Sequence, residues 1–215
     1  MLVQDRMSAP AVTITPDAVL RDALSLMHAH RFRRLPVVDA SGKLIGIVTE
    51  RDLQPALPSR VGSPSVWELN YVVSNVQIRE VMTEGAITTT PDTPIEDVAR
   101  LMIDTKTGGL PVVDDQDHVV GVITETDIFR AFVEMFSGGQ SGLRLTLEMP
   151  EGKNVLLELV KAISEVGGSI VSVGSFCGDV TGERGLIVKV RGARKDQLVD
   201  ILEALGDHVV DARDV

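Results

Sequence analysis

Two segments of the chain share one order of hydrophobic and polar positions. Apolar residues recur at i, i+3, i+4 and i+7 from Leu20 to Met27, and the same spacing runs from Ile95 to Met102. This period places the apolar side chains on one face of a helix. Short β-rich runs follow, at 110–113 and 119–124 in the second segment. Each segment therefore predicts a short strand, a helix, two strands and a second helix, in the order βαββα.

A constant offset relates the two segments without gaps over roughly 50 residues. Met7 aligns with Met82, which sets the offset at 82 − 7 = 75. The same step carries residues 35–39 onto 110–114, both Leu-Pro-Val-Val-Asp. In the second copy, Thr93 is predicted as the N-cap of the helix, with Pro94 at its first position and Glu96 completing a capping box.

The pattern changes after residue 142. Residues 137–142 combine Ser, Gly and Gln and have the composition of a linker. The leucines at 143, 145 and 147 then alternate with polar residues, as in a half-buried strand. Further runs predict a helix at 154–166, strands at 169–176 and 186–191, a helix around 198–205 and a strand at 208–212. The order βαββαβ is a ferredoxin-like plan.

Composition limits the classes of function. The chain has 31 acidic and 21 basic residues and a formal net charge of −10, which opposes general binding to nucleic acids or anionic membranes. The single cysteine, Cys177, excludes an intrachain disulfide and a multi-cysteine metal site. No apolar run reaches the ~18 residues of a membrane span. We therefore expect a cytoplasmic protein with neither nucleic acid nor membrane as a partner.

Catalytic chemistry is not indicated by the sequence. The four histidines are scattered, and no metal-spaced cluster or nucleophile motif accompanies them. We expect no enzyme, no catalytic residue, no bound metal and no required cofactor.

Each repeat ends in the pattern Gly-hydrophobic-hydrophobic-Thr-x-x-Asp, at residues 46–52 and 121–127. Together with the repeated Leu-Pro-Val-Val-Asp, this pattern resembles the CBS domain. The resemblance implies that the two copies form a module that binds an adenosine-containing ligand, namely AMP, ADP, ATP or S-adenosylmethionine.

The repeated Thr-x-x-Asp residues suit two parts of a nucleotide. Thr49 and Thr124 lie where a strand should give way to a helix, and the backbone N–H groups at a helix start favour a phosphate. Asp52 and Asp127 would repel a phosphate but can accept hydrogen bonds from ribose hydroxyls. The alternative from the same residues is a capping box that only starts each second helix.

The two copies differ in charge beside this pattern. Arg33, Arg34 and Arg51 belong to the first copy, and the planar fork of arginine can donate two hydrogen bonds to a phosphate. The alternative is a solvated basic face. Gly108 and Gly109 replace two of these arginines in the second copy, and we expect them to leave room for a base or sugar near the backbone.

Adenine requires an apolar slot with a few backbone partners. Val12 and Ile87 lie in the short strands predicted to open the two repeats, at 11–14 and 86–89, and would line such a slot. Pro36 and Pro111, inside the repeated Leu-Pro-Val-Val-Asp, complete the predicted ligand-binding set.

The βαββαβ segment resembles an ACT domain, given the glycine-containing turn at 149–152 and Gly167-Gly168 after its first helix. The resemblance implies dimerisation or a second ligand such as an amino acid, and Glu151 and Lys153 in that turn favour dimerisation. A CBS pair followed by an ACT domain resembles the bacterial acetoin-utilisation AcuB proteins, which are regulatory accessories.

The predicted fold class is α/β (α+β). It comprises CBS repeat 1 at 1–56, a connecting loop and a helix starting near Ser65 at 57–77, CBS repeat 2 at 78–136, a linker at 137–142 and an ACT-like domain at 143–215. Trp67 and Tyr71 should pack against the module. An apolar helix face between 128 and 136 would pair with a second subunit or be buried within the chain.

These observations predict a regulatory sensor of adenine nucleotides, as a homodimer that controls an enzyme or a transporter. The alternative is an interaction scaffold whose nucleotide sites no longer function.

Overall fold

A computed structural model describes residues 1–53, 73–148, 155–177 and 184–215. In these residues the chain forms two compact units, Met1–Phe129 and Arg130–Val215. The helix predicted near Ser65, with Trp67 and Tyr71, and the turn with Glu151 and Lys153 lie outside the described residues.

The first unit contains both repeats. The first repeat comprises α1 (Leu20–His30), β1 (Arg34–Val38), β2 (Leu44–Thr49) and α2 (Glu50–Leu53). The second comprises β3 (Thr83–Glu84), α3 (Ile95–Thr105), β4 (Gly109–Val113), β5 (Val119–Thr124) and α4 (Glu125–Met135), and two 3-10 turns lie at Val3–Asp5 and Ile78–Glu80. The last residues of α4 already belong to the second unit.

Two antiparallel strand pairs confirm the predicted β-rich runs. In the first pair Pro36 lies opposite Ile47, and in the second Pro111 lies opposite Val122. The opening strands predicted at 11–14 and 86–89 are reduced to single bridges, because only one residue of each segment pairs in parallel with the neighbouring strand. These bridges join Ile14 to Val37 and Thr89 to Val112.

The predicted start of α3 is wrong by one residue, and the predicted side-chain cap from Thr93 is not formed. The N-cap position is Pro94, without a side-chain cap. The hydroxyl of Thr93 instead lies 2.9 Å from the Thr90 hydroxyl and accepts the Thr90 backbone N–H at 3.3 Å. Thr93 therefore stabilises the turn before the helix.

Each repeat contributes its leading segment to the other repeat. Ile78 is fully buried in the core of the first repeat, and its backbone N–H donates to the Ala18 carbonyl at 2.9 Å. Val3 is its counterpart at the offset of 75, and it donates to the Thr93 carbonyl of the second repeat at the same distance. The two repeats are thus interlocked, and neither completes its core from its own residues alone.

Glycines allow this exchanged packing. A Cβ at Gly46 would lie 2.8 Å from the Thr83 carbonyl oxygen and 3.1 Å from Met82 Sδ. A Cβ at Gly121 would lie 2.6 Å from Met7 Sδ. Each methionine therefore packs against the glycine of the opposite repeat, and a larger residue would have to displace it.

The second unit has the βαββαβ order predicted from its hydrophobic pattern. Its elements are β6 (Leu143–Glu148), α5 (Val155–Glu165), β7 (Ser169–Cys177), β8 (Arg184–Arg191), α6 (Lys195–Ala204) and β9 (Val209–Asp214). The sheet has the order β7-β8-β6-β9 with antiparallel neighbours. Alternate residues of β6 and β8 form one core with both helices, and Leu145, Val188, Leu159 and Leu198 in it are fully buried.

The residues predicted as a linker at 137–142 pack against the opposite face of this sheet. The Lys189 ammonium donates to the Ser137 carbonyl at 3.1 Å and to the Gln140 carbonyl at 2.9 Å. The Ser137 hydroxyl donates to the Val171 carbonyl at 3.3 Å. These bonds make the segment part of the second unit, although its composition is that of a flexible connection.

The apolar face predicted on α4 is largely exposed. Phe129 and Phe132 are 66% and 58% exposed, and Val133 and Met135 are also more than half exposed. The other two residues of the predicted face, Ile128 and Phe136, are half-buried, so part of the face is covered and both predicted alternatives stay open. Among the described residues, no helix combines the length and apolar character needed to cross a membrane.

Candidate functional site

The repeated Thr-x-x-Asp residues form two matching corners between a strand and a helix. The first corner, Thr49 and Asp52, joins β2 to α2, and the second corner, Thr124 and Asp127, joins β5 to α4. The predicted position of both threonines at the transition from strand to helix is therefore confirmed.

In both corners the aspartate holds the threonine. The backbone N–H and the hydroxyl of Thr49 donate to Asp52 Oδ2 at 2.8 and 2.7 Å. The same groups of Thr124 donate to Asp127 Oδ2 at 2.9 and 2.6 Å. The helix-start interpretation of the motif is thus satisfied in each copy. Each aspartate thus accepts two hydrogen bonds within its own corner through Oδ2.

The segments predicted to contact adenine lie beside the strands β1 and β4. Val12 is half-buried, whereas Ile87 is 41% exposed. Two residues further on, Ile14 donates its N–H to the Pro36 carbonyl at 3.0 Å, and Thr89 donates to the Pro111 carbonyl at 3.1 Å. Both segments are therefore fixed to a strand of their own repeat.

Pro36 and Pro111 are buried at the centre of these bridges. Because their carbonyls already accept the N–H groups of Ile14 and Thr89, the structure gives them a supporting role. Direct contact of either proline with a ligand stays a prediction.

Arg34 crosses from the first repeat to the second. Its Nη1 donates to the carbonyl of Gly109 at 2.7 Å. Because 109 − 34 = 75, these are equivalent positions of the two copies. Lys43 and His118, also 75 residues apart, form a backbone bridge. In both pairs a residue of one repeat contacts its own equivalent in the other repeat. Both pairs therefore lie at the pseudo-twofold axis that relates the two repeats.

The space above the glycines of the second repeat is occupied by this arginine. A Cβ at Gly109 would lie 2.8 Å from Arg34 Nη1, and one at Gly108 would lie 3.0 Å from Arg34 Nη2. The glycines thus leave room for a guanidinium in the structure, and the approach of a base or sugar to Gly109 stays a prediction. A ligand could reach the Gly109 backbone only after Arg34 moves.

The electrostatic setting of Arg34 differs from that of the other predicted arginines. Burial lowers the pKa of its guanidinium, the Glu125 carboxylate opposes this effect, and Arg33 adds to it. Arginine nevertheless remains protonated at neutral pH. Arg33 and Arg51 are exposed. Of the three, Arg34 alone is held in place by a bond to the other repeat among the described residues.

Arg34 was predicted from the sequence as a ligand-binding residue, but the contact of its side chain with the second repeat was not predicted. The offset of 75 shows which residues are equivalent, yet equivalence does not show which equivalent positions meet at the axis.

In the part of the chain that the structure describes, no group of three or more His, Cys, Asp or Glu residues could hold a metal ion.

The family pattern of the CBS domain matches residues 3–59 and 78–134, more than half of the chain. The chain therefore belongs to the CBS domain family, and the predicted tandem pair is confirmed. It is also 35% identical over 131 residues to L-aspartate semialdehyde sulfurtransferase of Methanocaldococcus jannaschii, covering 61% of this chain and 23% of that enzyme. The chain thus spans less than a quarter of the length of this relative.

Solved structures with the same fold include ligand complexes. CBSX2 in complex with AMP has 30% identity and a TM-score of 0.54, covering 62% of this chain and 97% of that one. The CBS domain pair of protein MJ0100, in complex with 5′-methylthioadenosine and S-adenosyl-L-methionine, has 34% identity and a TM-score of 0.52, with the same coverage. An acetoin utilization protein (AcuB) from Vibrio cholerae has 31% identity and a TM-score of 0.53, covering 64% and 93%.

Proposed function

We propose that this protein is a regulatory sensor that binds an adenosine-containing ligand at the two Thr-x-x-Asp corners. The observation that carries the proposal is the same hydrogen-bonded geometry in both corners, with distances that agree within 0.1 Å. The complexes of CBSX2 with AMP and of the MJ0100 pair with adenosyl compounds support this class of ligand.

Each part of the ligand has a proposed partner. Asp52 and Asp127 accept hydrogen bonds from the ribose, and the N–H groups at the helix starts favour a phosphate. Val12 and Ile87 contact the adenine ring.

Phosphate charge is met by arginines of the first repeat. Arg34 is the strongest candidate because it is half-buried, and a partly desolvated charge interacts more strongly with an anion than an exposed one does. Arg33 and Arg51 are exposed and would contribute through a weaker, salt-screened attraction. The proposed regulatory ligand is AMP, ADP or ATP, which would use these arginines, or S-adenosylmethionine, which has no phosphate; no further cofactor is required.

The second unit is proposed to be an ACT-like domain that dimerises or binds a second ligand. Its βαββαβ order and the sheet order β7-β8-β6-β9 support this assignment. The homodimer is further supported by the exposed aromatic residues of α4, since large apolar side chains at a surface mark contact sites. The proposed role is regulation of an enzyme or transporter in the cytoplasm, without catalysis and without nucleic-acid or membrane binding.

Thermal denaturation with AMP, ADP, ATP, S-adenosylmethionine and adenosine tests the proposal. A ligand at about 100 times its dissociation constant adds roughly 2.7 kcal/mol to the free energy of unfolding, which raises the melting temperature by several degrees. Asp52→Asn and Asp127→Asn should weaken this response, because an amide can still cap the corner but offers the ribose a poorer acceptor.

Asp39→Asn is the matched control. Asp39 likewise accepts a backbone N–H and a hydroxyl, both from Ser41, at 2.8 and 2.7 Å, and it lies at the other end of β1 from the first corner. Its ligand response should equal that of the unchanged protein. Absence of any response to all five compounds would favour the scaffold alternative, and release of a product from any of them would favour an enzyme.

A further inference from the structure

The backbone of Arg34 lies at the first corner, and its side chain extends to the second corner. Across β1 and β2 it lies directly opposite Thr49. Its guanidinium donates to Gly109, which lies opposite Thr124 across β4 and β5. The guanidinium of Arg34 therefore lies between the two corners, at the axis that relates the repeats.

A second arginine at the equivalent position of the other repeat would crowd the first. A Cβ at Gly109 would lie 2.8 Å from Arg34 Nη1 and 3.0 Å from the Ile123 carbonyl oxygen. The first contact requires the Arg34 guanidinium to move aside, and the second requires the backbone to shift by a few tenths of an ångström. Because both copies of this position face the same volume, the two corners have one guanidinium here and not two.

The present contacts of Arg34 are ones that a phosphate could replace. Its Nη1 bonds to a neutral carbonyl, and a hydrogen bond from a guanidinium to a phosphate is stronger than one to a neutral acceptor. The Glu125 carboxylate lies close enough to raise the pKa of the guanidinium. Glu125 directly follows Thr124 in sequence, so its charge favours keeping Arg34 near the second corner when no phosphate is bound.

We propose that Arg34 is a phosphate ligand shared by the two corners, so that only one corner at a time binds a phosphorylated nucleotide at full strength. This proposal rests on the proposed nucleotide-binding function. The second AMP should bind about 10 to 100 times more weakly than the first, because it lacks the charge-assisted bonds of Arg34. Adenosine has no phosphate, and its two binding steps should be independent of Arg34.

Isothermal titration of the full chain with AMP and with adenosine tests this. The measured quantity is the ratio of the second dissociation constant to the first, which should be at least tenfold larger for AMP than for adenosine. The comparison between the two ligands removes those differences between the corners that do not involve the phosphate, and the Arg34 variant separates its contribution from that of Arg33 and Arg51. Because this titration uses the unchanged protein, its result does not depend on whether a variant folds correctly.

Two variants give the causal test. Arg34→Gln should bring the AMP ratio down to the adenosine ratio, while the adenosine constants stay the same. Arg100→Gln removes an exposed arginine of α3 and should leave both ratios as they are.

Equal ratios for AMP and adenosine, or a ratio for AMP that Arg34→Gln does not change, would overturn the shared ligand while leaving nucleotide binding intact. A single binding step for both ligands would overturn it as well. If neither ligand binds at all, the proposed function fails together with this inference.

Discussion

Substitution of Gly46 by alanine tests the interlocked packing of the two repeats. Gly46 lies on β2 of the first repeat and faces Glu84 on β3 of the second. The added Cβ would meet the Thr83 carbonyl oxygen at 2.8 Å, a distance that real Cβ atoms essentially never show. The contact is with backbone, so relief requires β3 to move away from β2.

The magnitude follows from two opposing terms. Alanine restricts the unfolded chain and would stabilise the protein by about 0.4–1 kcal/mol if it fitted without strain. Overpacking of a close contact costs about 1–3 kcal/mol. We therefore expect Gly46→Ala to lower the free energy of unfolding by about 1–2 kcal/mol.

Gly121→Ala is the matched comparison in the second repeat. Its shortest contact, 2.6 Å, is with Met7 Sδ, the far end of a flexible side chain, and the nearest backbone atom is the Ser8 oxygen at 3.1 Å. Methionine can adopt another rotamer, so the loss should be smaller than for Gly46→Ala.

Urea denaturation followed by circular dichroism measures both losses, provided that the slope of the transition stays constant. If Gly46→Ala unfolds at the same or a higher urea concentration than the unchanged protein, β3 does not pack closely on β2. The exchange of leading segments between repeats would then be incorrect.

Three further predictions concern other parts of the molecule. Lys189→Met should speed amide hydrogen exchange at 137–142 while β6 and β8 keep their protection, because the ammonium no longer holds the Ser137 and Gln140 carbonyls. Ser41→Ala should raise the pKa of Asp39 towards its ordinary value in an NMR titration, since the Ser41 hydroxyl is the largest cause of its lowering. A lowered carboxyl pKa stabilises the fold above the ordinary pKa, and this contribution is lost as the pH falls through the lowered one. In the variant the contribution should be smaller and should be fully lost at a higher pH. Leu145→Ala should cost about 2–5 kcal/mol in urea denaturation, since the side chain is fully buried in the core of the second unit.

The elements that could be predicted from the sequence are those fixed by local pattern. The corners at Thr49 and Thr124 follow from the change of hydrophobic period together with a capping aspartate three residues later. The alternation of leucines in β6 likewise predicts which face is buried. Both signals lie within a few residues of the feature that they predict.

The features that sequence reasoning missed depend on contacts between distant segments. The offset of 75 shows that the two repeats are equivalent, but it does not show which residues of one repeat pack into the other. It therefore does not reveal that Ile78 completes the core of the first repeat. The glycine-rich composition of 137–142 indicated a linker because composition alone does not show the contacts of this segment with the distant strand β8. A Cβ at Gly142 would lie 2.7 Å from the Val190 oxygen, so this glycine permits close packing on the sheet and not flexibility.

The difference between Arg34 and Gly109 follows from the duplication itself. Away from the axis, both copies of a position can keep the same residue, as Thr49 and Thr124 do, because each has its own surroundings. At Arg34 and Gly109, which meet at the axis, the two equivalent residues face one volume, and the guanidinium of one copy packs against the glycine of the other. The sequence difference that first suggested unequal phosphate binding thus also serves the packing of the two repeats, and it places one guanidinium between two otherwise matching corners.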